Sequence, residues 1–194
     1  TTRVLAFSEG APVAINDNAT TAREVVVSAP AGRVLFASVS VDLAHSELGY
    51  LEVSVASPAQ NQVSLVSLFA ASGAALRGTV FSDLAQADLA SGQSPYTGVF
   101  APGQELGSLR GGPAVGSWRL NVTEFDESSE LSGTIDGVGL LLCVCEGNCE
   151  FNCTDGADED SDGNIDCRDA DCRVTFECAA ERICGDNVDN DGDA

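Results

Sequence analysis

Apolar and polar side chains alternate along several short segments in the first three-quarters of the chain. Between Arg33 and Leu43, apolar Val39, Val41 and Leu43 alternate with polar Ser38, Ser40 and Asp42. A period of two places the apolar side chains on one face of a β-strand and the polar side chains on the other. The pattern predicts a strand here and in five further segments: Glu24–Ser28, Leu51–Val55, Gln62–Leu68, Ser117–Val122 and Gly133–Leu141.

Turn-forming residues (Gly, Pro, Asn, Asp and Ser) separate these predicted strands. Short strands at this spacing are typical of an all-β sandwich or jelly roll. No stretch sustains the 3.6-residue apolar period of an α-helix. Two alanine-rich stretches, Leu68–Leu76 and Asp83–Leu89, are predicted to form short helical turns, which Gly73 and Gly92 limit.

The composition of the chain changes sharply near Cys145. Residues 1–142 contain no cysteine, and all eight cysteines lie between Cys143 and Cys184. Residues 146–194 hold sixteen of the thirty carboxylates but only three of the nine arginines, which gives this segment a net charge of −13. The sequence therefore predicts two units, a β-sandwich over residues 1–145 and a tail rich in Cys and Asp over residues 146–194.

Clustered cysteines in a polar, acidic segment favour disulfides and an oxidising compartment, which means a secreted or cell-surface protein. Zinc ligation is the alternative. It is disfavoured because the spacing lacks paired C-x-x-C motifs and the only histidine, His45, lies far from the cysteines in sequence.

The net charge of −21 excludes nucleic-acid binding, because a polyanion repels phosphates and no basic stripe exists. The longest apolar run, Val138–Cys145, has eight residues, whereas a membrane-spanning helix needs roughly twenty. The chain has no methionine and begins at Thr1, which predicts a processed product or an excised fragment. We expect a monomer that does not enter a membrane.

The tail contains an internal repeat, because the pattern of Cys153–Asp162 recurs thirty-one residues later as Cys184–Asp193, with the cysteine and four aspartates in register. Counted from Asp158, oxygen-bearing side chains stand at positions 1, 3, 5, 7, 9 and 12, with a glycine at position 6. This is the spacing with which an EF-hand loop wraps calcium. The predicted ligands are the side chains of Asp158, Asp160, Asp162, Asp166 and Asp169 and the backbone carbonyl of Asn164. A solvated acidic linker is the alternative.

The second copy of the repeat stops at Ala194, at position six of its loop. Its candidate ligands are Asp189, Asp191 and Asp193. Cysteines flank the first loop where an EF-hand has helices, so the tail resembles the disulfide-bearing aspartate repeats of secreted bacterial proteins and the thrombospondin type 3 repeats.

Residues 11–143 carry an ordered set of motifs. These are Ile15-Asn-Asp-Asn18, Val39-Ser-Val-Asp-Leu-Ala-His45, Gly49-Tyr-Leu51 with Ser57-Pro58, Val80-Phe-Ser-Asp83, Tyr96-Thr-Gly-Val-Phe-Ala-Pro102, Gly116-Ser-Trp-Arg-Leu-Asn-Val122 and Leu131-Ser-Gly-Thr-Ile135. In this order they resemble the P domain, also called P/Homo B, of proprotein convertases and secreted bacterial proteases. Tyr50 stands where that family usually has Asp.

The resemblance implies a jelly-roll β-sandwich that follows a catalytic domain, usually subtilisin-like, and supports its folding, stability or substrate handling. The upstream catalytic domain is then the expected partner. Acids in family P domains also hold calcium in some members, and the candidates by position are Asp17, Asp42, Glu47 and Asp83.

The residue inventory argues against catalysis by this chain. A Ser-His-Asp triad needs a histidine, and His45 has no recognisable partner motif. We therefore expect a non-catalytic accessory region of a secreted protease. The alternative is a cell-surface adhesion or carbohydrate-binding module with no protease attached, because fold does not decide function.

Overall fold

A computed structural model of the chain describes residues 2–8, 10–28, 30–126, 132–175 and 178. Within these ranges the regular structure consists of strands and five short 3₁₀ helices. The strands are β1 Thr2–Phe7, β2 Val13–Ala14, β3 Thr20–Val27, β4 Arg33–His45, β5 Leu51–Ala56, β6 Gln62–Val66, β7 Ala75–Phe81, β8 Tyr96–Phe100, β9 Gly116–Glu124 and β10 Gly133–Cys145. The 3₁₀ helices are Leu48–Tyr50, Leu89–Ser91, Leu106–Leu109, Asp166–Arg168 and Cys172–Val174.

The strands form two sheets. The first has the order β1-β10-β4-β7-β8, with β2 also paired to β10, and the second has the order β3-β9-β5-β6. Neighbouring strands are antiparallel except β7 and β8, which are parallel. Two four-stranded layers in the orders β1-β10-β4-β7 and β3-β9-β5-β6 make a jelly roll, with β8 added at one edge. The prediction of an all-β jelly-roll sandwich is confirmed.

The core lies between the two sheets and follows from the alternation in the sequence. Along β3 every second residue is buried, and on β4 the side chains of Val39, Val41 and Leu43 are fully enclosed. Trp118 on β9 is also buried, and its indole N–H donates to the carbonyl of Ala114 at 2.8 Å. One apolar cluster joins residues of both sheets, so the packing of the sheets on each other excludes water.

The two predicted helical turns are wrong. Residues 68–74 form a turn that leads into β7 at Ala75, and residues 83–88 form a turn and an irregular connection before the 3₁₀ helix. Phe69 and Gly73 both have φ in the left-handed region, at 60° and 80°, which a continuous right-handed helix excludes. The 3₁₀ helix that follows begins at Leu89, where the carboxylate of Asp88 accepts the N–H of Ser91.

Several strands were not predicted, and β1 shows why. Its residues are apolar on both faces: Val4 and Ala6 pack against the core, while Leu5 and Phe7 remain 66% and 65% exposed. A segment without alternation gives no period-two signal, and β1 is a strand because it pairs with β10 along its whole length.

Arg23 is a buried charged residue on the inward face of β3. Its guanidinium donates to the carbonyls of Ala11 and Gly10, at 2.9 and 3.0 Å, and to that of Ile135 at 3.0 Å. It also donates to the hydroxyl of Ser8 at 2.7 Å. These acceptors come from residues 8–11 and from β10, and Arg23 gives the buried carbonyl of Ile135 a hydrogen-bond partner. None of the helices in the described ranges is long and apolar enough to cross a membrane.

The sandwich core gives the first prediction. Leu120→Ala on β9 removes a side chain that is 1% exposed, and we expect it to destabilise the fold by about 2–5 kcal/mol, because it leaves a cavity. The matched control is Leu5→Ala, at a 66% exposed position, for which we expect a change within about 0.5 kcal/mol. Urea unfolding followed by tryptophan fluorescence measures both. Equal destabilisation by the two variants would contradict the assigned core.

Candidate metal centre

Disulfides frame the acidic loop of the tail. Cys153 is bonded to Cys172 and Cys167 to Cys178, while Cys145 at the end of β10 is bonded to Cys149. The predicted disulfides are confirmed for these six cysteines, which are therefore not free thiolate ligands for zinc. Buried Cys143 has no disulfide partner in the described part of the chain, and Cys184 lies outside it.

The beginning of the tail packs against the sandwich. Phe151 lies under the guanidinium of Arg33, whose central carbon is 5.8 Å from the ring centroid. The carbonyl of Phe151 accepts a hydrogen bond from Arg110 at 3.3 Å. Phe151 also belongs to a small apolar cluster with Leu35 and the Cys145–Cys149 disulfide. The segment that leads into the acidic loop is thus attached to the end of the β-sandwich at which β4 begins and β10 ends.

The loop is wound by hydrogen bonds from backbone N–H groups to aspartate side chains. The carboxylate of Asp158 accepts from the N–H of Asp162 at 3.2 Å and from that of Gly163 at 3.1 Å. Asp162 in turn accepts from the N–H of Asn164 at 2.7 Å. Gly163 has φ of +94°, a conformation that favours glycine, which explains the glycine at position six.

This winding brings together three of the predicted ligands. Oxygen atoms of Asp160, Asp162 and Asp169 lie within 4.8 Å of one another. Calcium ligands lie about 2.3–2.6 Å from the ion, so two ligands of one ion are at most about 5 Å apart. These three carboxylates, at positions 3, 5 and 12 of the loop, therefore meet the spacing requirement for holding one metal ion.

Asp169 has the most unusual environment of the three. Its side chain is 1% exposed, and its Oδ2 atom has no hydrogen-bond partner in the described part of the chain. Burial raises the pKa of Asp169, and the charges of Asp162 and Asp160 raise it further, while the N–H of Asp171 opposes the shift. A buried carboxylate oxygen without a donor is costly unless a cation faces it. The donor set thus fits a hard cation.

The remaining predicted ligands of the first loop have other positions. The side-chain amide of Asn164 donates to Asp162 at 2.9 Å, and Asp166 accepts the N–H of Gly156 at 3.1 Å. Asn164 is predicted to bind through its backbone carbonyl, and this stays a prediction. The side chain of Asp166 belongs to no group of three metal-type ligands among the described residues. Asp158 belongs to such a group, but with Glu150 and Asp160 rather than with Asp162 and Asp169. Asp189, Asp191 and Asp193 of the second loop lie outside the described residues.

Sequence reasoning missed Glu150, which precedes the loop by eight residues. Its side chain is fully buried, and its oxygen atoms lie within 4.8 Å of those of Asp158 and Asp160. The loop motif contains no position for it, because it belongs to the segment that joins β10 to the loop. Its place immediately after a cysteine was the only signal in the sequence.

The structure does not bring together the four acids that were predicted as a possible calcium site in the sandwich. Asp42 accepts the N–H of Gly78 at 2.7 Å, and Asp17 is exposed. Glu47 accepts the N–H groups of Gly49 and Gly73, at 3.2 and 2.9 Å. Asp83 accepts those of Leu106 and Gly107, at 2.9 and 2.7 Å. None of the four acids belongs to a metal-type group in the described ranges. The hydrogen bonds of Glu47 and Asp83 hold turns, and a metal at these four acids stays a prediction.

His45 lies at the end of β4 and is 4% exposed. Its Nδ1 atom is 2.8 Å from the carbonyl of Glu47, and its Nε2 atom has no hydrogen-bond partner among the residues that the structure describes. The ring therefore bridges the end of β4 to the following turn.

Comparison with known proteins gives the following results. No protein-family model and no curated protein matches the chain. The serine protease of Aeromonas sobria is similar to it at 20% identity with a TM-score of 0.47, over 73% of this chain and 26% of the protease. A chain in the complex of that serine protease and the chaperone matches at 18% identity with a TM-score of 0.47, over 76% of this chain and 27% of that chain. The protein thus spans about a quarter of the length of these chains.

The buried carboxylate of Asp169 gives the second prediction. In the presence of a chelator, we expect Asp169→Asn to slow amide exchange in residues 150–172 by roughly fivefold, about 1 kcal/mol. The substitution removes the repulsion from Asp160 and Asp162, while the Asn oxygen still accepts the N–H of Asp171. The control is Asp17→Asn at an exposed position. Faster exchange in Asp169→Asn than in wild type would show that no such repulsion exists.

Proposed function

We propose that this chain is a non-catalytic accessory region of a secreted, subtilisin-like bacterial protease, built from a P-domain-like jelly roll and a calcium-stabilised tail. The jelly-roll strand order and the ordered motifs of residues 11–143 support the first part. In this proposal the sandwich packs against the upstream catalytic domain and supports its stability or its handling of substrate.

The observation that carries the calcium part is the buried, unpartnered oxygen of Asp169 beside Asp160 and Asp162. No arginine forms an ion pair with any of these three carboxylates in the described part of the chain. Within the described residues, their charges therefore have no cationic partner. A bound Ca²⁺ supplies two positive charges and six to eight oxygen bonds, and when bound it provides order rather than chemistry.

The compartment fits the same proposal. The disulfides of the tail persist in an oxidising environment such as the extracellular space. Extracellular calcium sites function with dissociation constants of about 10⁻⁴–10⁻³ M. A modest site of oxygen ligands is therefore sufficient for a secreted protein.

The third prediction concerns the calcium response of the tail. We expect calcium at ten times its Kd to slow amide exchange in residues 150–172 roughly tenfold relative to chelator, because the ion binds only the ordered loop. The core of the sandwich, which depends on apolar packing, responds much less. Hydrogen–deuterium exchange measured by mass spectrometry on the disulfide-intact protein resolves the two regions.

The control for this experiment is a pair of charge-matched double variants. Asp160→Ala with Asp162→Ala abolishes the calcium response, whereas Asp17→Ala with Glu52→Ala, at exposed positions of the sandwich, preserves it. Equal protection of residues 150–172 in chelator and in calcium would overturn the calcium assignment.

The fourth prediction is that purified residues 1–194 do not hydrolyse labelled casein or a panel of chromogenic peptide esters. The imidazole of His45 is 4% exposed with its Nδ1 atom held by the carbonyl of Glu47, and the sequence offers no recognisable nucleophile motif to partner it. A subtilisin of known activity serves as the positive control. Turnover that survives repurification and is lost in His45→Gln would refute the non-catalytic role.

The adhesion or carbohydrate-binding alternative is distinguished from the accessory role by the coding sequence that flanks residues 1–194. A protease domain with its catalytic Asp, His and Ser supports the accessory role. Lectin or adhesion domains in its place contradict that role.

A further inference from the structure

Glu150 is a fully buried carboxylate, and it belongs to the connecting segment between β10 and the acidic loop. The residue before it, Cys149, is bonded to Cys145 at the end of β10, and the residue after it, Phe151, packs under Arg33. Both neighbours are therefore held against the sandwich. The position of Glu150 is set by the sandwich rather than by the loop.

The loop closes around this carboxylate. One Glu150 oxygen accepts the N–H of Asp166 at 2.7 Å and the other accepts the N–H of Glu159 at 3.2 Å. Each carboxylate oxygen has two lone-pair positions, so each retains acceptor capacity after one hydrogen bond. The side chain is thus fixed in orientation and still able to bind a cation.

The carboxylates of Asp158 and Asp160 lie beside this remaining capacity. Their oxygen atoms and those of Glu150 are all within 4.8 Å, and Asp160 is also shared with the group that contains Asp169. No arginine pairs with Glu150 in the described ranges. Three carboxylates so close, one of them fully buried, repel each other strongly unless a cation lies among them.

Asp160 joins this group to that of Asp162 and Asp169, and the buried Oδ2 atom of Asp169 has no hydrogen-bond partner in the described part of the chain. We therefore propose that Glu150 is a calcium ligand contributed from outside the loop, next to Asp158 and Asp160. This inference rests on the proposed calcium binding and extends it. Cys149, the neighbour of Glu150, is bonded to the last residue of β10. The bound ion therefore connects the loop to that end of the sandwich, and calcium orders the junction as well as the loop.

The test compares Glu150→Gln with Glu146→Gln in the full chain. Glu146 is an exposed carboxylate in the same connecting segment, so both variants lose one negative charge. Calorimetry measures the calcium Kd. Terbium luminescence lifetimes in H₂O and D₂O, with the lanthanide as probe, count the water molecules bound to the metal.

For Glu150→Gln we expect a calcium Kd raised at least about tenfold and about one additional water on terbium, with Glu146→Gln unchanged in water count. Loss of even an outer-shell partner commonly weakens a metal site by about 10–100-fold. The water count separates a ligand from a residue that only positions the loop, since Gln still accepts one N–H. A wild-type water count in Glu150→Gln would overturn the inference.

If Glu150→Gln does not reach the wild-type circular dichroism spectrum in calcium, Glu150→Asp replaces it in both measurements. This variant keeps the charge and the hydrogen-bond acceptors but withdraws the carboxylate by one methylene, so the same extra water is expected and a wild-type count overturns the inference. Failure of the proposed function is distinct, because the wild-type protein itself would then bind no calcium.

Discussion

The antiparallel pairing of β4 with β10 is the constraint on which the rest of the molecule depends. Both strands have thirteen residues, they pair along nearly their full length, and they lie in the middle of the first sheet. Their inward side chains supply much of the core. The same ladder ends at Cys145, where a disulfide turns the chain back and begins the tail. The position of the acidic loop is therefore set by the register of two core strands.

The two parts of the chain differ in what their folding requires. The sandwich buries apolar side chains from both sheets and pairs buried polar groups such as the carbonyl of Ile135, which accepts from Arg23. The tail has few apolar side chains and many carboxylates. Its disulfides reduce the conformational freedom of the unfolded chain but do not neutralise the negative charge. In the proposed function, folding of the tail is coupled to a cation, since a metal site forms only when its ligands converge.

Sequence patterns were most informative where one rule acted alone. Alternation predicted β4, β5, β9 and most of β10, because each of these strands has one face in the core. It failed for β1, whose two faces are both apolar. It also failed for the alanine-rich connections, where alanine suggested a helix but left-handed residues such as Phe69 and Gly73 excluded one. Helix propensity is a weak preference that turn geometry and packing override.

The sequence by itself determined the all-β class, the change of composition near Cys145 and the spacing of the acidic loop, because each depends on residues close together in the chain. Only the tertiary structure decided which carboxylates converge. It separated Asp166 from the cluster, buried one oxygen of Asp169 without a partner, and brought in Glu150 from outside the motif. It likewise placed the guanidinium of Arg23 against the carbonyls of two distant segments, residues 10–11 and Ile135 on β10. These outcomes depend on long-range pairing and burial, and local spacing carries no information about either.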